Sequence, residues 1–353
     1  MQDKQNNQPT NQKKIWFNLL IVIAILAIML TVVGSLEEFD QILHVIGTID
    51  LGFFMIALGI SLLALLIMAL SHQIVLRALD KKLPYATGFL IQLTEPFFNG
   101  ITPFSSGAQP VQLYYYHKHG MEGNQATSIL VVNMILFQIA SIILTILCLS
   151  FFWNYIYNAP GYVLIYIMVG SILNILILIL FFLLAYVKRA YRLFEKIFSF
   201  FERFKFTKKI ASRLKNKTSD FVVNFQGSVR FLFTKKRVFL LATTAKMVSL
   251  ILYYTTTLVI AISLELQLSG IESVYLIAAS LLAIVTMQFV PLPGASGGTE
   301  FVFSALLFGL FAISQQEVFA LMLLWRFATY YFGMIFGLIN YLILMKRKVR
   351  IET

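Results

Sequence analysis

Four ionisable side chains, Glu95, Lys246, Glu300 and Arg326, stand in stretches that are otherwise almost wholly apolar. A charge held away from water must be paired or must meet something charged, so each is a candidate functional group by default. Arg326 cannot lose its proton, and its planar fork suits a carboxylate, carbonyls or a phosphate. Tyr330 follows it by one helical turn. Glu95 precedes Pro96, and Glu300 closes a glycine-rich turn. The chemistry these types favour is recognition of a charged lipid headgroup. Arg326 would meet a phosphate, and Glu95 or Glu300 would balance it or meet a cationic group. The competing reading is a structural Glu–Arg pair, and residue types alone do not separate the two. Lys246 lies near the end of its run and is expected to reach out to the interface.

Other reactive types give less. His117 and His119 are two positions apart and so leave a helix on different faces, with no acidic partner at ligand spacing. They read as groups at headgroup level rather than metal ligands. Cys148, the one cysteine, sits in an apolar run, which excludes a disulfide framework and a thiolate cluster in this chain. Asn133, Gln138 and Asn174 read as interhelical hydrogen-bonding groups. No phosphate-binding loop, GxSxG, HExxH, haem or flavin signature occurs. We therefore expect no catalytic set, no cofactor and no metal, and no nucleotide-driven pump.

The elements that must position these groups follow from composition. Of 353 residues 59% are hydrophobic and 12% charged, which is the signature of an integral membrane protein. Crossing a hydrocarbon core takes about 20 helical residues. Six runs are long enough: Ile15 to Gly34, Leu51 to Leu76, Thr127 to Trp153, Tyr162 to Val187, Val238 to Leu264 and Val318 to Met345. Shorter runs, Tyr85 to Asn99, Val274 to Val290 and Phe301 to Ser314, flank prolines and glycines and read as half-helices or re-entrant arms. The expected fold is all-α and polytopic. The first run is too long and too poorly followed by small residues for a cleaved leader, so it reads as a retained anchor.

The net charge of +12 has one source. Residues 188 to 237 hold 15 Lys and Arg against 3 Asp and Glu, and the rest of the chain holds 13 of each. Basic residues beside spans favour the cytoplasm, which places this segment, Lys13, Lys14 and the tail "KRKVR" inside. Within it, Phe194, Ile197, Phe198, Phe201 and Phe204 follow helical spacing. Lys205, Lys208, Lys209 and Arg213 supply a surface for anionic headgroups. A plain positive-inside linker is the alternative, and a nucleic-acid contact is disfavoured by the spans on both sides.

Threading the chain under that constraint divides it. Residues 1–14 are a disordered cytoplasmic N-terminus. A first membrane half, 15–187, carries a re-entrant hairpin near 85–119. A basic linker, 188–237, leads to a second half, 238–345, with a hairpin near 273–316, and 346–353 form a cytoplasmic tail. The first hairpin must start and end inside and the second outside, so they are inverted. Their tips are "TPFSSGAQP" (Thr102 to Pro110) and "VPLPGASGGTE" (Val290 to Glu300), which share the pattern Pro-x-x-Ser-Gly-small-polar. Interrupted segments at matching positions of inverted halves point to a transporter's substrate site. Ser106 and Ser296 lie at those tips. Helix N-termini exposed there would suit a phosphate. Interfacial loops joining ordinary short spans are the bland alternative.

"NGITPFSSGAQPVQLYYYHKHG" resembles the first hallmark of the lysylphosphatidylglycerol synthase transmembrane-region family, and "VPLPGASGGTEF" followed by "WRFATYYFG" resembles the second. This is the flippase-like membrane half of the bacterial multiple peptide resistance factor. The resemblance picks out Asn99, Pro103, Gly107, Pro293, Gly294, Gly297, Gly298, Glu300 and Arg326. It departs where the family commonly carries an arginine and this chain has Gln109 to Gln112. It implies lipid translocation in a bacterial plasma membrane, with aminoacylated phosphatidylglycerol, another phospholipid or an isoprenoid-linked precursor as substrate. Full-length members carry a soluble aminoacyl-tRNA-dependent transferase domain after the membrane part, and only eight residues follow Met345 here. We therefore expect translocation rather than synthesis. The alternatives are an integral-membrane headgroup transferase (a phosphatidylglycerol lysyltransferase) and a non-catalytic partner of a separate synthase. Expected partners are membrane phospholipid, anionic headgroups at the basic linker, and a further copy or a synthase.

Overall fold

A computed structural model describes residues 39–347, leaving out 80–82, 159, 289, 291, 309–312 and, between 188 and 232, all but 199, 226–227 and 229–231. The expected N-terminal segment 1–14, the run Ile15 to Gly34, the amphipathic basic segment with Lys205, Lys208, Lys209 and Arg213, and the end of the tail lie outside the described residues. Among the described residues all regular structure is helical.

The order is α1 Phe39–Gly47, α2 Leu51–Leu79, α3 Tyr85–Leu93, α4 Glu95–Gly100, a 3-10 turn Pro103–Ser105, α5 Ala108–Lys118, α6 Gly123–Tyr157 and α7 Gly161–Tyr186. It continues with α8 Lys236–Ser263, α9 Gly270–Met287, a second 3-10 turn Pro293–Ala295, α10 Gly298–Leu307, α11 Gln315–Arg326, a π-helical turn Phe327–Tyr331 and α12 Phe332–Lys346. Among the described residues six helices are long and apolar enough to cross a membrane, α11 to α12 counting as one. Five match expected runs. The sixth, α9, corrects the expectation of a short arm at Val274 to Val290. It starts four residues earlier, where Ser269 and Glu272 form a reciprocal cap, Glu272 accepting from the Ser269 N–H at 2.7 Å.

Lipid is as apolar as leucine, so helices in a membrane associate through small residues and interhelical hydrogen bonds. The pairing of α2 with α8 follows this rule. Ala57, Ser61, Ala64 and Ser71 of α2 are all buried at helical spacing. The Ser71 hydroxyl donates to the Ala242 carbonyl at 2.8 Å, and the Ser249 hydroxyl to that of Ala64 at 2.7 Å. On α7 the buried residues Val163, Ile167, Gly170, Ser171 and Asn174 form one stripe. Asn174 ties three helices: its carbonyl accepts from Gln138 of α6, and its side-chain amide donates to Val285 of α9 at 3.2 Å. Asn133 does not join such a network. Its amide returns to the Ile129 carbonyl of its own helix, which corrects the expectation for that residue.

Gly170 sets how closely α7 approaches α9, because a Cβ there would lie 2.6 Å from Thr286 Cα. Gly170→Ala should therefore lower stability by about 1–3 kcal/mol through overpacking. Gly59→Ala, in α2 with open space around the new methyl, should be neutral or stabilise by about 0.4–1 kcal/mol. Thermal unfolding of the purified variants in detergent checks both.

Candidate functional site

Both tip motifs fall on a 3-10 turn between helices, α3 and α4 before the first and α5 after it, α9 before the second and α10 after it, and the two turns have the same backbone. Thr102 and Leu292 are extended (φ −122°, ψ 144° and φ −110°, ψ 146°). Phe104 and Gly294 then take φ 57°, ψ 17° and φ 59°, ψ 17°, and Ser105 and Ala295 take φ 49° and 52°. Left-handed values are costly for Phe104, Ser105 and Ala295, each by about 1–3 kcal/mol. The same strained path therefore occurs twice, at the two matched motifs, and the two turns pack against each other. They diverge one residue later, where Ser106 is at ψ 3° and Ser296 at ψ 143°.

The two turns are held differently. At the first tip neutral groups close the backbone. The Thr102 hydroxyl donates to the Phe98 carbonyl at 2.7 Å and accepts from the Gly107 N–H at 2.8 Å. The Asn99 side-chain carbonyl accepts from the Ala108 N–H at 3.1 Å, and the Ser106 hydroxyl donates to Pro103 at 3.0 Å. Pro103 and Ser106 are exposed and Gly107 is half-buried.

Charged groups hold the second tip. Glu300 stands at the third position of α10 and reaches back to accept from the Gly297 N–H at 2.7 Å. Its other oxygen accepts from Arg326 Nε at 2.7 Å, and both side chains are almost wholly buried. Arg326 Nη2 donates to the Gly294 carbonyl at 3.1 Å and approaches the Ser296 hydroxyl at 3.5 Å. Among the described residues no acceptor meets Nη1. The guanidinium also lies 4.5 Å from the centre of the Tyr330 ring, a cation–π distance. Glu272 and Glu317 cap their helices in the same way at the surface, so Glu300 is an ordinary helix-capping glutamate made unusual by burial and by its arginine.

Tyr330 joins the halves. Its hydroxyl donates to the Gly100 carbonyl at 2.9 Å, at the end of α4, while its ring covers Gly294 so closely that a Cβ there would lie 2.2 Å from it. Gly294 thus answers two demands, a left-handed φ and the approach of that ring. Just beyond Arg326, the π-helical turn frees carbonyls that other helices use. The Ser61 hydroxyl donates to Ala328 at 2.7 Å, and the Tyr253 hydroxyl to Thr329 at 3.4 Å.

Of the expected site residues, Pro293, Gly294, Ser296, Gly297, Gly298, Glu300, Arg326 and Tyr330 come together at the second tip, and Asn99, Pro103, Ser106 and Gly107 form the first. The carboxylate on Arg326 is Glu300 and not Glu95. Glu95 opens α4 among amides: Gln92 and Asn99 both donate to it, and Gln112 donates to Gln92 at 3.0 Å. Lys246 overturns the expectation that it reaches the interface. It is 3% exposed and has Met68 Sδ at 3.7 Å, one turn from His72 on α2. His72, Gln92, Gln112 and Tyr116 were missed by sequence reasoning. The signal for His72 was a histidine in the run "IMALSHQIV", which passed as the tail of a span.

A family model described as the lysylphosphatidylglycerol synthase TM region matches residues 15–337. No curated protein matches the chain.

Removing Arg326 alone leaves a buried carboxylate without its counter-charge, which should cost about 3–5 kcal/mol. Arg326→Met should thus lower the unfolding temperature strongly, and Arg326→Met combined with Glu300→Met should lose much less than the sum of the single changes. A double-mutant cycle by thermal unfolding in detergent reads the coupling.

Proposed function

The chain belongs to the lysylphosphatidylglycerol synthase transmembrane-region family, and from that membership we propose that it moves a phospholipid across a bacterial plasma membrane. The headgroup passes between the two tips while the acyl chains stay in lipid. Family and spans make the chain a multi-pass membrane protein tied to lysylphosphatidylglycerol. Translocation, the inverted halves, the re-entrant path of both hairpins and the cytoplasmic termini are our reading.

The observation that carries it is the pair of tips. Two motifs 190 positions apart adopt one strained backbone and pack together. Irregular backbone at membrane depth is tolerated only inside protein or around a watery cavity, and broken helices at matching places of inverted halves mark substrate sites in transporters. The charges fit a lipid headgroup. Nη1 of Arg326 is available for a phosphate oxygen once Nε and Nη2 have satisfied Glu300, Gly294 and Ser296. The first tip, exposed at Pro103 and Ser106, is neutral and closed by its own hydrogen bonds, so it brings no competing charge to the other side.

Purified protein in liposomes containing labelled phospholipid, read by leaflet-resolved quenching, should redistribute the label without making a new lipid species. A new aminoacylated species on adding charged tRNA would instead support a transferase, and no change in either would support a partner of a separate synthase. Ser106→Cys and Ser296→Cys should both be protected from small thiol reagents by added lysylphosphatidylglycerol. Labelling of each only from the face nearest its flanking loops, without protection, would overturn the placement of the headgroup between the tips.

A further inference from the structure

The buried groups around Glu95 are not absorbed by the tips. Lys246 of α8 is 3% exposed and His72 of α2 is 1% exposed. The acceptor found for the Lys246 ammonium among the described residues is the Met68 thioether at 3.7 Å, a weak one. Among the described residues no carboxylate lies within ion-pair distance of it. Met68 and His72 are one helical turn apart on α2, so the lysine and the imidazole share one region. His72 Nε2 meets the Tyr116 hydroxyl at 2.5 Å, while among the described residues neither Nδ1 nor the neighbouring Gln73 side-chain carbonyl has a partner. Glu95 is tied to the same region through α5: Gln112, one turn before Tyr116, donates to Gln92 at 3.0 Å, and Gln92 and Asn99 donate to Glu95.

Compare this with the other buried pair. Arg326 and Glu300 are closed at 2.7 Å, and arginine keeps its proton. Lys246 and Glu95 do not close into an ion pair among the described residues, and lysine, unlike arginine, can give up its proton when buried. A buried ammonium without a contacting carboxylate is costly, so losing its proton competes with keeping it. Among the described residues no other charged group pairs with it. α6 contains no charged residue, Glu272 of α9 is exposed in its first turn, and Arg326 is taken by Glu300. Around α4, the π-helical turn contributes Tyr330 and α12 contributes Tyr341, α5 contributes Tyr116 and Gln112, and the two 3-10 turns contribute no titratable group.

We propose that Glu95, Lys246 and His72 form a proton-exchange site within the bundle, distinct from the Arg326–Glu300 pair, and that its proton is the ion coupled to lipid movement. The chemistry is proton transfer alone: water delivers a proton to the Glu95 carboxylate, Lys246 or His72, and takes it back, with no other bond made or broken. Asn99 links the site to the first tip, because one end of its amide donates to Glu95 and the other accepts from the Ala108 N–H. A change of charge on Glu95 therefore alters the hold on the backbone where α5 begins. The coupling clause rests on the translocation reading, whereas the proton site does not.

Infrared difference spectra of the purified full chain, recorded while pH is stepped through the acid and neutral range, test the site directly. A carbonyl band of a buried protonated carboxyl should come and go with pH, vanish in Glu95→Gln, persist in Glu300→Gln, and titrate at a shifted pH in Lys246→Met. Lys246→Met removes a buried charge that has no contacting carboxylate, so it should keep the wild-type unfolding temperature and stand in if Glu95→Gln fails to fold. No titrating band in the wild type, or a band unchanged in Glu95→Gln or Lys246→Met, overturns the site. In liposomes, an imposed pH gradient should speed wild-type lipid movement several-fold in one direction and leave Glu95→Gln indifferent. Lipid movement that ignores the gradient overturns the coupling. An absence of any lipid movement removes the translocation reading and the coupling with it, while the infrared result still decides the proton site.

Discussion

The hydrogen-bonded pair of Arg326 and Glu300 is what the second half of this protein is arranged around. A buried 3-10 turn between helices leaves carbonyl and N–H groups that the surrounding protein must satisfy. Here one arginine and one glutamate take that role for several of them at once. Arg326 donates to the Gly294 carbonyl, Glu300 accepts from the Gly297 N–H, and each supplies the other's counter-charge. Neither residue could do this alone, since a single buried charge would cost more than the backbone groups it satisfies. The neighbouring helices are fitted to the pair. Trp325 stacks on Phe303 at 4.3 Å, which locks α11 against α10, and Tyr330 lies over the guanidinium.

The same turn is held at the first tip without charge, and this difference bears on function. Thr102 and Asn99 satisfy the backbone through bonds within one short segment, and the tip is left exposed. The second tip is closed, buried and charged. Two turns that share a path through Ser105 and Ala295 thus differ in chemistry: an exposed neutral tip closed by its own hydrogen bonds on one side, a partly committed guanidinium on the other. Symmetric binding sites take symmetric ligands. A phospholipid headgroup, with an anionic phosphate and a different group beyond it, matches the asymmetry better.

Much of this was legible in the sequence. Hydropathy and charge gave the helical spans, because lipid imposes a length and a sign on them. The two tips were visible as proline and glycine where neither belongs in a span, and the repeated pattern anticipated a repeated backbone that extends through Ser105 and Ala295 before the paths part. Glu300 and Arg326 were visible as charges without water. What sequence did not show depends on pairing in three dimensions. Lys246 was read as reaching the interface because it is about two turns from one end of its run, and nothing in α8 announces that it lies against Met68, one turn from His72 on α2. The π-helical turn at Phe327–Tyr331 is set by the carbonyls that Ser61 and Tyr253 require, 267 positions away in the first case. Asn133 and Asn174 look alike in the sequence, yet one closes on its own helix and the other ties three together.

Helix α4 connects the two polar centres. It has six residues, too few for a helix to be stable by itself, so its position is set by what grips its ends. At its start Glu95 is held by Gln92 and Asn99, and at its end the Gly100 carbonyl is held by Tyr330, which in turn lies on Arg326. Along one side α12 comes within backbone contact, because Gly337 has no side chain: a Cβ there would lie 2.8 Å from the Phe97 nitrogen. A short rigid rod gripped at both ends and pressed from the side cannot change its hold at one end without disturbing the other. If the charge near Glu95 changes, the movement most readily available is a small shift of α4 along α12, and Gly100 would carry it to Tyr330. The tips would then separate or close according to a charge located outside them, which is the arrangement that coupling between an ion site and a substrate site requires.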